Sequence, residues 1–351
     1  MVLSSVPQKP NRLKVGDTVA VLSPSWGGPS VFPHVFDLGL RNIESRFGLK
    51  IKEFKTARLP NSNLYENPRL RAEDINRAFA DTEVKGIFAS IGGDDSVRIL
   101  PFLDLELIKA NPKILMGYSD TTTLNSYLCS QGLVTYNGPS VMAGFAQLHH
   151  VEPSLADHIE AMLMNPCQQY SYQPYESWTN NYVNWTTPGY NGETAPPVSN
   201  KEGWRWLQGT GHAQGRLFGG CIEVFEFLKG TAFWPDLRFF DDKILFFETS
   251  EDKPSVTNVK YMLRNYGSMG VLDRIQGLCF GRARSYTDEE KAELDKVIVQ
   301  VIAGEFGRND IPIVSNMDFG HTDPQWILPL GVPAELGCES KTFRLLEPSV
   351  N

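Results

Sequence analysis

Lys113-Ile114-Leu115-Met116-Gly117-Tyr118-Ser119-Asp120-Thr121-Thr122-Thr123 is the stretch that decides the fold. Ile114 to Met116 form a short, uninterrupted apolar run, the pattern of a central strand covered on both faces. Asp120 and the three threonines then offer carboxylate and hydroxyl caps for a helix running to about Cys129. A serine at the corner between them has its hydroxyl pushed outward at the carboxyl end of a sheet. The amide of Asp120 would then sit at a helix N-terminus, facing any anion formed nearby. This is nucleophile-elbow logic, although Thr121 stands where the hydrolase pattern Gly-x-Ser-x-Gly has its second glycine. An ordinary helix cap gives the same Ser-Asp pair.

Outward from this stretch, strand and helix alternate. Strands are predicted at 18–25, 49–54, 84–91 and 134–136, with helices at about 30–46, 68–81, 97–110 and 153–164. The alternation predicts a parallel doubly wound α/β sheet, whose ligands bind at the carboxyl ends of the strands. Ile91-Gly92-Gly93-Asp94-Asp95-Ser96 lies at such an end. Its paired glycines let the backbone approach a ligand closely, and their amides can donate to an oxyanion or a phosphate. A plain capped turn reads the same way. The absence of Gly-x-Gly-x-x-Gly or Walker patterns leaves a dinucleotide or triphosphate site unsupported.

From Cys167 to Gln214 the periodicity vanishes and aromatic residues take over, among them Trp178, Trp185, Trp204 and Trp206. Long loops in compact proteins are functional or disordered, and this many aromatics argue against disorder. The segment reads as a linker that also walls or lids a site and can stack on a planar group. Packing of the same rings at a domain interface remains the alternative. Beyond it, strands are expected at 243–249, 275–281, 311–316, 326–329 and 342–346, and helices to about 229, at 256–266 and at 288–303, forming a second, mixed sheet. The expected organisation is an N-terminal α/β domain over 1–165, the aromatic linker over 166–214 and a C-terminal domain over 215–351.

The chain has 351 residues, 41% of them apolar, enough for two cores. A net charge of -8 argues against a nucleic-acid polymer as partner. The polar N-terminus and the lack of any membrane-length apolar run predict a soluble, unexported, cytoplasmic protein. Five scattered cysteines without a C-x-x-C pair indicate neither a disulfide framework nor a zinc site, and no metal or cofactor is called for.

Of six histidines, His321 differs: it follows an apolar strand and Gly320, where an imidazole can project into a cleft. Glu248 ends a strand whose other residues are almost all apolar, and burying it there requires a partner such as a histidine. Glu251 is a competing carboxylate three residues on. Ser119, Glu248 and His321 follow the chain order nucleophile, orienting acid, base.

The motifs at 91–96, 117–120, 215–221 (Gly-Arg-Leu-Phe-Gly-Gly-Cys), 245–251 (Leu-Phe-Phe-Glu-Thr-Ser-Glu) and 318–322 (Asp-Phe-Gly-His-Thr) resemble the LD-carboxypeptidase superfamily of serine peptidases. The aromatic stretch, with 176–178 and 203–207, is similar to its microcin C immunity, MccF-like, branch. The resemblance implies a flavodoxin-like N-terminal domain, a swivelling C-terminal domain and a homodimer. It also implies Ser119 as nucleophile, Glu248 as orienting acid and His321 as base, with an oxyanion hole from the amides of Asp120 and of Gly93 or Asp94. The substrate would be a small peptidyl- or aminoacyl-nucleotide, cleaved in self-immunity or detoxification, or alternatively a murein tetrapeptide. Trp178, Trp185, Trp204, Trp206 and Glu251 are the candidate substrate contacts, a nucleotide base being the group an aromatic wall suits. A non-catalytic small-molecule binding protein is the reading of another class.

Overall fold

The structure, a computed structural model, describes residues 6–151 and 153–351. The first five residues of the polar N-terminal segment lie outside that range. Five parallel strands, β1 (Thr18–Leu22), β2 (Lys50–Glu53), β3 (Val84–Ala89), β4 (Ile114–Gly117) and β5 (Thr135–Asn137), form the first sheet in the order β2-β1-β3-β4-β5. That is the flavodoxin-like order of a doubly wound sheet. All four residues of β4 are buried, as the unbroken apolar run requires.

Two predicted helices divide where proline or a cap intervenes. The one expected over 30–46 is split at Phe32 into Gly28–Val31 and Pro33–Phe47, because Pro33 lacks an N–H and pushes the preceding residue out of the helical region. The one expected over 97–110 is a 3₁₀ turn (Ser96–Phe102) containing Pro101, followed by a helix (Leu105–Ala110) capped by Asp104.

The aromatic segment is not wholly loop. It contributes β6 (Tyr170–Ser171), β7 (Ser177–Trp178), β8 (Val198–Ser199) and β9 (Arg205–Gln208). Then come β10 (His212–Cys221), β11 (Lys243–Glu248), β12 (Gly277–Gly281), β13 (Ile313–Met317), β14 (Leu328–Leu330), β15 (Pro333–Gly337) and β16 (Thr342–Leu345). The second sheet runs β6-β16-β15-β10-β11-β12-β13-β9, with β10 to β13 parallel and antiparallel strands on both flanks. Both of its edges therefore come from the aromatic segment.

One expectation is corrected. The strand expected near 326–329 does not close the second sheet; β14 pairs antiparallel with β5 and so extends the first. Two hydrogen bonds bring it there: Trp326 N–H is held by Asp318 O (2.7 Å), and Ile327 N–H by the distant His158 Nε2 (2.8 Å), which steers the chain back across the first sheet's edge. The sheets also meet through the helix that follows the elbow, where Thr122 Oγ1 accepts from Cys221 N–H (3.1 Å). Among the described residues no helix is long and apolar enough to cross a membrane.

Candidate active site

Ser119 opens a 3₁₀ turn (Ser119–Thr121) directly after β4 and runs into the helix Thr122–Ser130. Its φ is 57°, the left-handed region that a non-glycine residue occupies only when the surroundings impose it. The imposing neighbour is the strand-end loop after β3. A Cβ on Gly92 would lie 2.8 Å from Ser119 Cβ and 2.9 Å from its Oγ, so only glycine lets the two loops close up. Asp120 locks them together. Its buried carboxylate accepts from Ser96 N–H (2.8 Å), and Ser96 Oγ donates to its carbonyl (2.8 Å). Burial raises the Asp120 carboxyl pKa above the ordinary value, against the pull of the Ser25 and Ser96 hydrogen bonds.

Of the amides considered for an oxyanion hole, that of Asp94 is occupied, donating to Ser25 Oγ (3.1 Å). Among the described residues no hydrogen bond takes the N–H of Gly93 or Asp120. The neighbouring Asp95 is gripped by the fully buried Arg71 in a two-pronged pair (2.6 and 2.9 Å), which holds the turn in place.

The second sheet supplies the other half. Glu248 ends β11 fully buried, and His321 follows β13 at 3% exposure. His321 Nδ1 lies 2.6 Å from Glu248 Oε2. Gly320, with φ 98°, makes this approach possible, since a Cβ there would sit 2.6 Å from Glu248 Cβ. The ring of Tyr118, next to Ser119, packs edge-on against the His321 ring at 4.9 Å, so the two strand ends meet at one junction. Nε2 of His321 faces not Ser119 Oγ but Glu251 Oε2, at 3.0 Å. Burial works against the imidazolium, but Glu248 and Glu251 together outweigh it and raise His321 to about 10. The contact with His321 lowers Glu251 to about 2.

Residues 19–138 match the LD-carboxypeptidase N-terminal domain, and residues 214–336 match the C-terminal domain. The chain belongs to the LD-carboxypeptidase family. It is 28% identical over 356 residues to the microcin C7 self-immunity protein MccF of Escherichia coli, covering 99% of this chain and 98% of that one. It is also 28% identical over 345 residues to a probable murein peptide carboxypeptidase of Bacillus subtilis (96% and 94%). MccF solved with glutamyl sulfamoyl guanosine superposes with a TM-score of 0.86 at 26% identity, covering 98% of this chain and all of that one. The family's domains and the carboxypeptidase name of the Bacillus subtilis relative support peptidase activity.

In this member of the family the four tryptophans of the aromatic segment have different surroundings. Trp178 is 7% exposed, with Arg282 and Lys291 cations 5.2 and 5.1 Å from its ring centroid. Trp204 donates its indole N–H to Asp318 (2.8 Å), which also pairs with the buried Arg282 (2.5 Å). Trp206 belongs to β9, paired to Val314 of β13. The rings of Trp178 and Trp204 are thus engaged by protein groups, and Trp206 packs partly buried against the core. Trp185 differs: half-buried, it lies edge-on to Phe32 at 5.4 Å, and Phe32 in turn contacts Trp26 at 6.2 Å. Trp26 N–H donates to Gly92 O (3.0 Å), which ties this aromatic row to the strand end beside Ser119.

Sequence reasoning passed over several groups around His321. The Tyr182 hydroxyl lies 3.2 Å from that of Tyr118 and 3.4 Å from the His321 carbonyl, with Arg284 stacked 3.8 Å over its ring. Asp323 is buried, and burial pushes it up to about 6. Glu223 accepts from both N–H and Oγ of Ser250, fixing the turn that carries Glu251. One signal could have found Arg284: it stands just beyond the carboxyl end of β12, where ligands of parallel sheets bind.

Proposed function

We propose that this LD-carboxypeptidase family member is a serine hydrolase acting on an aminoacyl- or peptidyl-nucleotide of the microcin C type, cleaving the amide-like bond between the acyl group and the nucleotide part. Ser119 Oγ attacks the acyl carbonyl, His321 accepts its proton through Nε2, and Glu248 orients the imidazole through Nδ1. The amides of Gly93 and Asp120 receive the oxyanion. The protonated base then delivers its proton to the leaving nitrogen, and water resolves the acyl-enzyme by the same route. The observation that carries the reading is the left-handed Ser119 between unclaimed amides, at the same junction as a histidine bonded to a buried glutamate.

The nucleotide reading rests on the aromatic row Trp26, Phe32 and Trp185 beside the elbow, and on MccF having been solved with glutamyl sulfamoyl guanosine and with aspartyl sulfamoyl adenosine. A D-amino acid leaving group offers nothing to stack on, whereas base stacking on one aromatic ring contributes roughly 1–3 kcal/mol. A second reading, trimming of a murein tetrapeptide, draws on the equal identity to the Bacillus subtilis relative. Side-by-side mass spectrometry on an aminoacyl sulfamoyl adenosine and an L,D-tetrapeptide decides between them. Hydrolysis of the sulfamoyl adenosine is expected. Cleavage of the tetrapeptide alone would reverse the assignment, and no adduct at Ser119 after a serine-directed phosphonate would remove the enzyme reading.

A further inference from the structure

A general base must present a free lone pair to the nucleophile, yet His321 has a carboxylate on each ring nitrogen: Glu248 at 2.6 Å from Nδ1 and Glu251 at 3.0 Å from Nε2. The two are not equivalent. Glu248 is fully buried at the end of β11, with Gly320 packed against its stem, while the Glu251 side chain is 56% exposed on a turn. The turn itself is pinned on both sides of Glu251. Ser250 is bound to Glu223, and Lys253, at φ 50°, pairs with Glu290 at 2.8 Å. The backbone is therefore anchored, and the Glu251 side chain is the part free to swing.

The position of that carboxylate is where chemistry demands something else. For reaction, the acyl carbonyl carbon must come within roughly 3–3.5 Å of Ser119 Oγ, and the leaving nitrogen within roughly 2.6–3.2 Å of His321 Nε2. The α-carbon of the acyl group is bonded to that carbonyl and an ammonium on it is one bond further, which puts the ammonium within reach of an exposed carboxylate that now sits 3.0 Å from Nε2. An ammonium arriving there offers Glu251 a better-exposed partner than the imidazole. It also disfavours the imidazolium by like charge. Both effects leave Nε2 unprotonated and turned to Ser119.

We propose that Glu251 is the specificity-determining residue of this site: it recognises a free α-ammonium beside the scissile carbonyl, and that ammonium draws it off His321 Nε2 to release the base. The preferred substrate is then an aminoacyl-nucleotide with an unblocked amine, a refinement that rests on the serine hydrolase reading above. A murein tetrapeptide, whose residue at the scissile carbonyl has its α-nitrogen in a peptide bond, cannot supply the signal.

Every group facing His321 enters the balance: Glu248 and Glu251 on the two nitrogens, the phenols of Tyr118 and Tyr182, Asp323 on its own loop and Arg284 beyond β12. The phenols are neutral at pH 7, both being raised above the ordinary range, chiefly by burial. With Glu248 and Glu251 in place His321 is held up at about 10, against its burial. At pH 7 the imidazole is therefore held mainly protonated.

The experiment compares an aminoacyl sulfamoyl adenosine with its N-acetyl derivative on the wild-type protein and on Glu251→Gln, following kcat/KM against pH, which reports the free enzyme's base. The wild type is expected to favour the free amine at pH 7 by tenfold or more. In Glu251→Gln the preference should fall within threefold, the N-acetyl compound should be cleaved faster than by the wild type, and the alkaline rise of kcat/KM should move down by at least one pH unit. An unchanged preference and an unchanged profile would overturn the proposal. A readout independent of turnover is the NMR titration of the His321 ring in a Ser119→Ala background. The free-amine ligand should lower its midpoint, the N-acetyl ligand should not, and Glu251→Gln should lower it without ligand. If neither sulfamoyl compound were cleaved, the nucleotide reading would fail while the titration still decided the role of Glu251. A midpoint equal in Glu251→Gln and parent would sink that role even in an active enzyme.

Discussion

His158 and His321 are buried almost equally, at 4% and 3% exposure, yet the protein treats them in opposite ways. His158, on the helix Ser154–Leu163, has only neutral partners: Nδ1 meets the Tyr170 hydroxyl (2.7 Å) and Nε2 accepts from Ile327 N–H (2.8 Å). Burial alone then acts, pushing it down to about 3. His321 has carboxylates on both nitrogens and rises to about 10 despite its burial. Burial sets the size of the stakes, and the charge of the partners sets the sign. The first histidine is a clip, joining the aromatic segment's β6 to the chain just before β14. The second sits at the proposed reaction site.

The sharpest way to break the contrast is catalytic. His321→Gln and Ser119→Ala are each expected to lower kcat/KM by roughly 10³-fold or more, because members of such a unit fail together. His158→Gln should stay within a few fold at a temperature where it is folded. If His158→Gln were as damaged as His321→Gln while its circular dichroism matched the wild type, the division between clip and base would be wrong.

Next in size is the strand end packed against Ser119, the proposed nucleophile. Gly92→Ala places a methyl 2.9 Å from Ser119 Oγ. Either the serine or the oxyanion amides must shift, so a loss of roughly 10²-fold in kcat is expected, comparable to removing one oxyanion donor. Wild-type kcat in Gly92→Ala would show that the two loops are not packed as tightly as their glycine suggests.

How far this was readable beforehand follows from whether the cause was local. The elbow was legible because the run Ile114 to Met116 and the serine stand consecutively and the backbone obeys such local rules; the expected threonine caps are absent, Thr122 accepting from Cys221 N–H instead. The polar end of β11 was legible because one carboxylate follows four consecutive apolar residues, Ile244 to Phe247. The second carboxylate on His321, the burial of Trp178 between Arg282 and Lys291, and the return of β14 to the first sheet depend on residues far apart in the chain. No spacing encodes them. The three-residue β14 and the strand β15, bounded by Pro333 and Gly337, also lack the length that makes periodicity informative.

The two histidines also separate by pH. A neutral His158 held at about 3 in the fold but near 6.5 in the unfolded chain stabilises the protein above pH 6.5, and this contribution is lost as pH falls toward 3. Between pH 7.5 and pH 5 the loss is about 2 kcal/mol. Urea unfolding at the two pH values should show a correspondingly smaller difference for His158→Gln. His321 runs the other way. Its raised value makes its contribution complete below pH 6.5 and removes it as pH climbs through about 10, so the stability advantage of wild type over His321→Gln should shrink on the alkaline side. Parallel pH curves for wild type and either variant would contradict the corresponding assignment.

The smallest effects concern the tryptophans, where partners again count for more than residue type. Trp178 is enclosed and held by two cations from the other half of the chain, whereas Trp185 is half-buried in a row with Phe32 and Trp26 that leads to Gly92. If the row receives a nucleotide base, Trp185→Ala removes one stacking face, worth roughly 1–3 kcal/mol. KM for a sulfamoyl adenosine should then rise about tenfold with kcat little changed, since such binding is made equally before and during reaction. Trp178→Phe keeps a ring between the cations and should leave KM within about twofold, its cost appearing in thermal stability instead. The control is a substrate with the base removed: against it Trp185→Ala and wild type should have the same KM. A tenfold rise that persisted without the base would make Trp185 a support for the fold rather than a platform, and a KM effect confined to Trp178→Phe would move the base to the other ring.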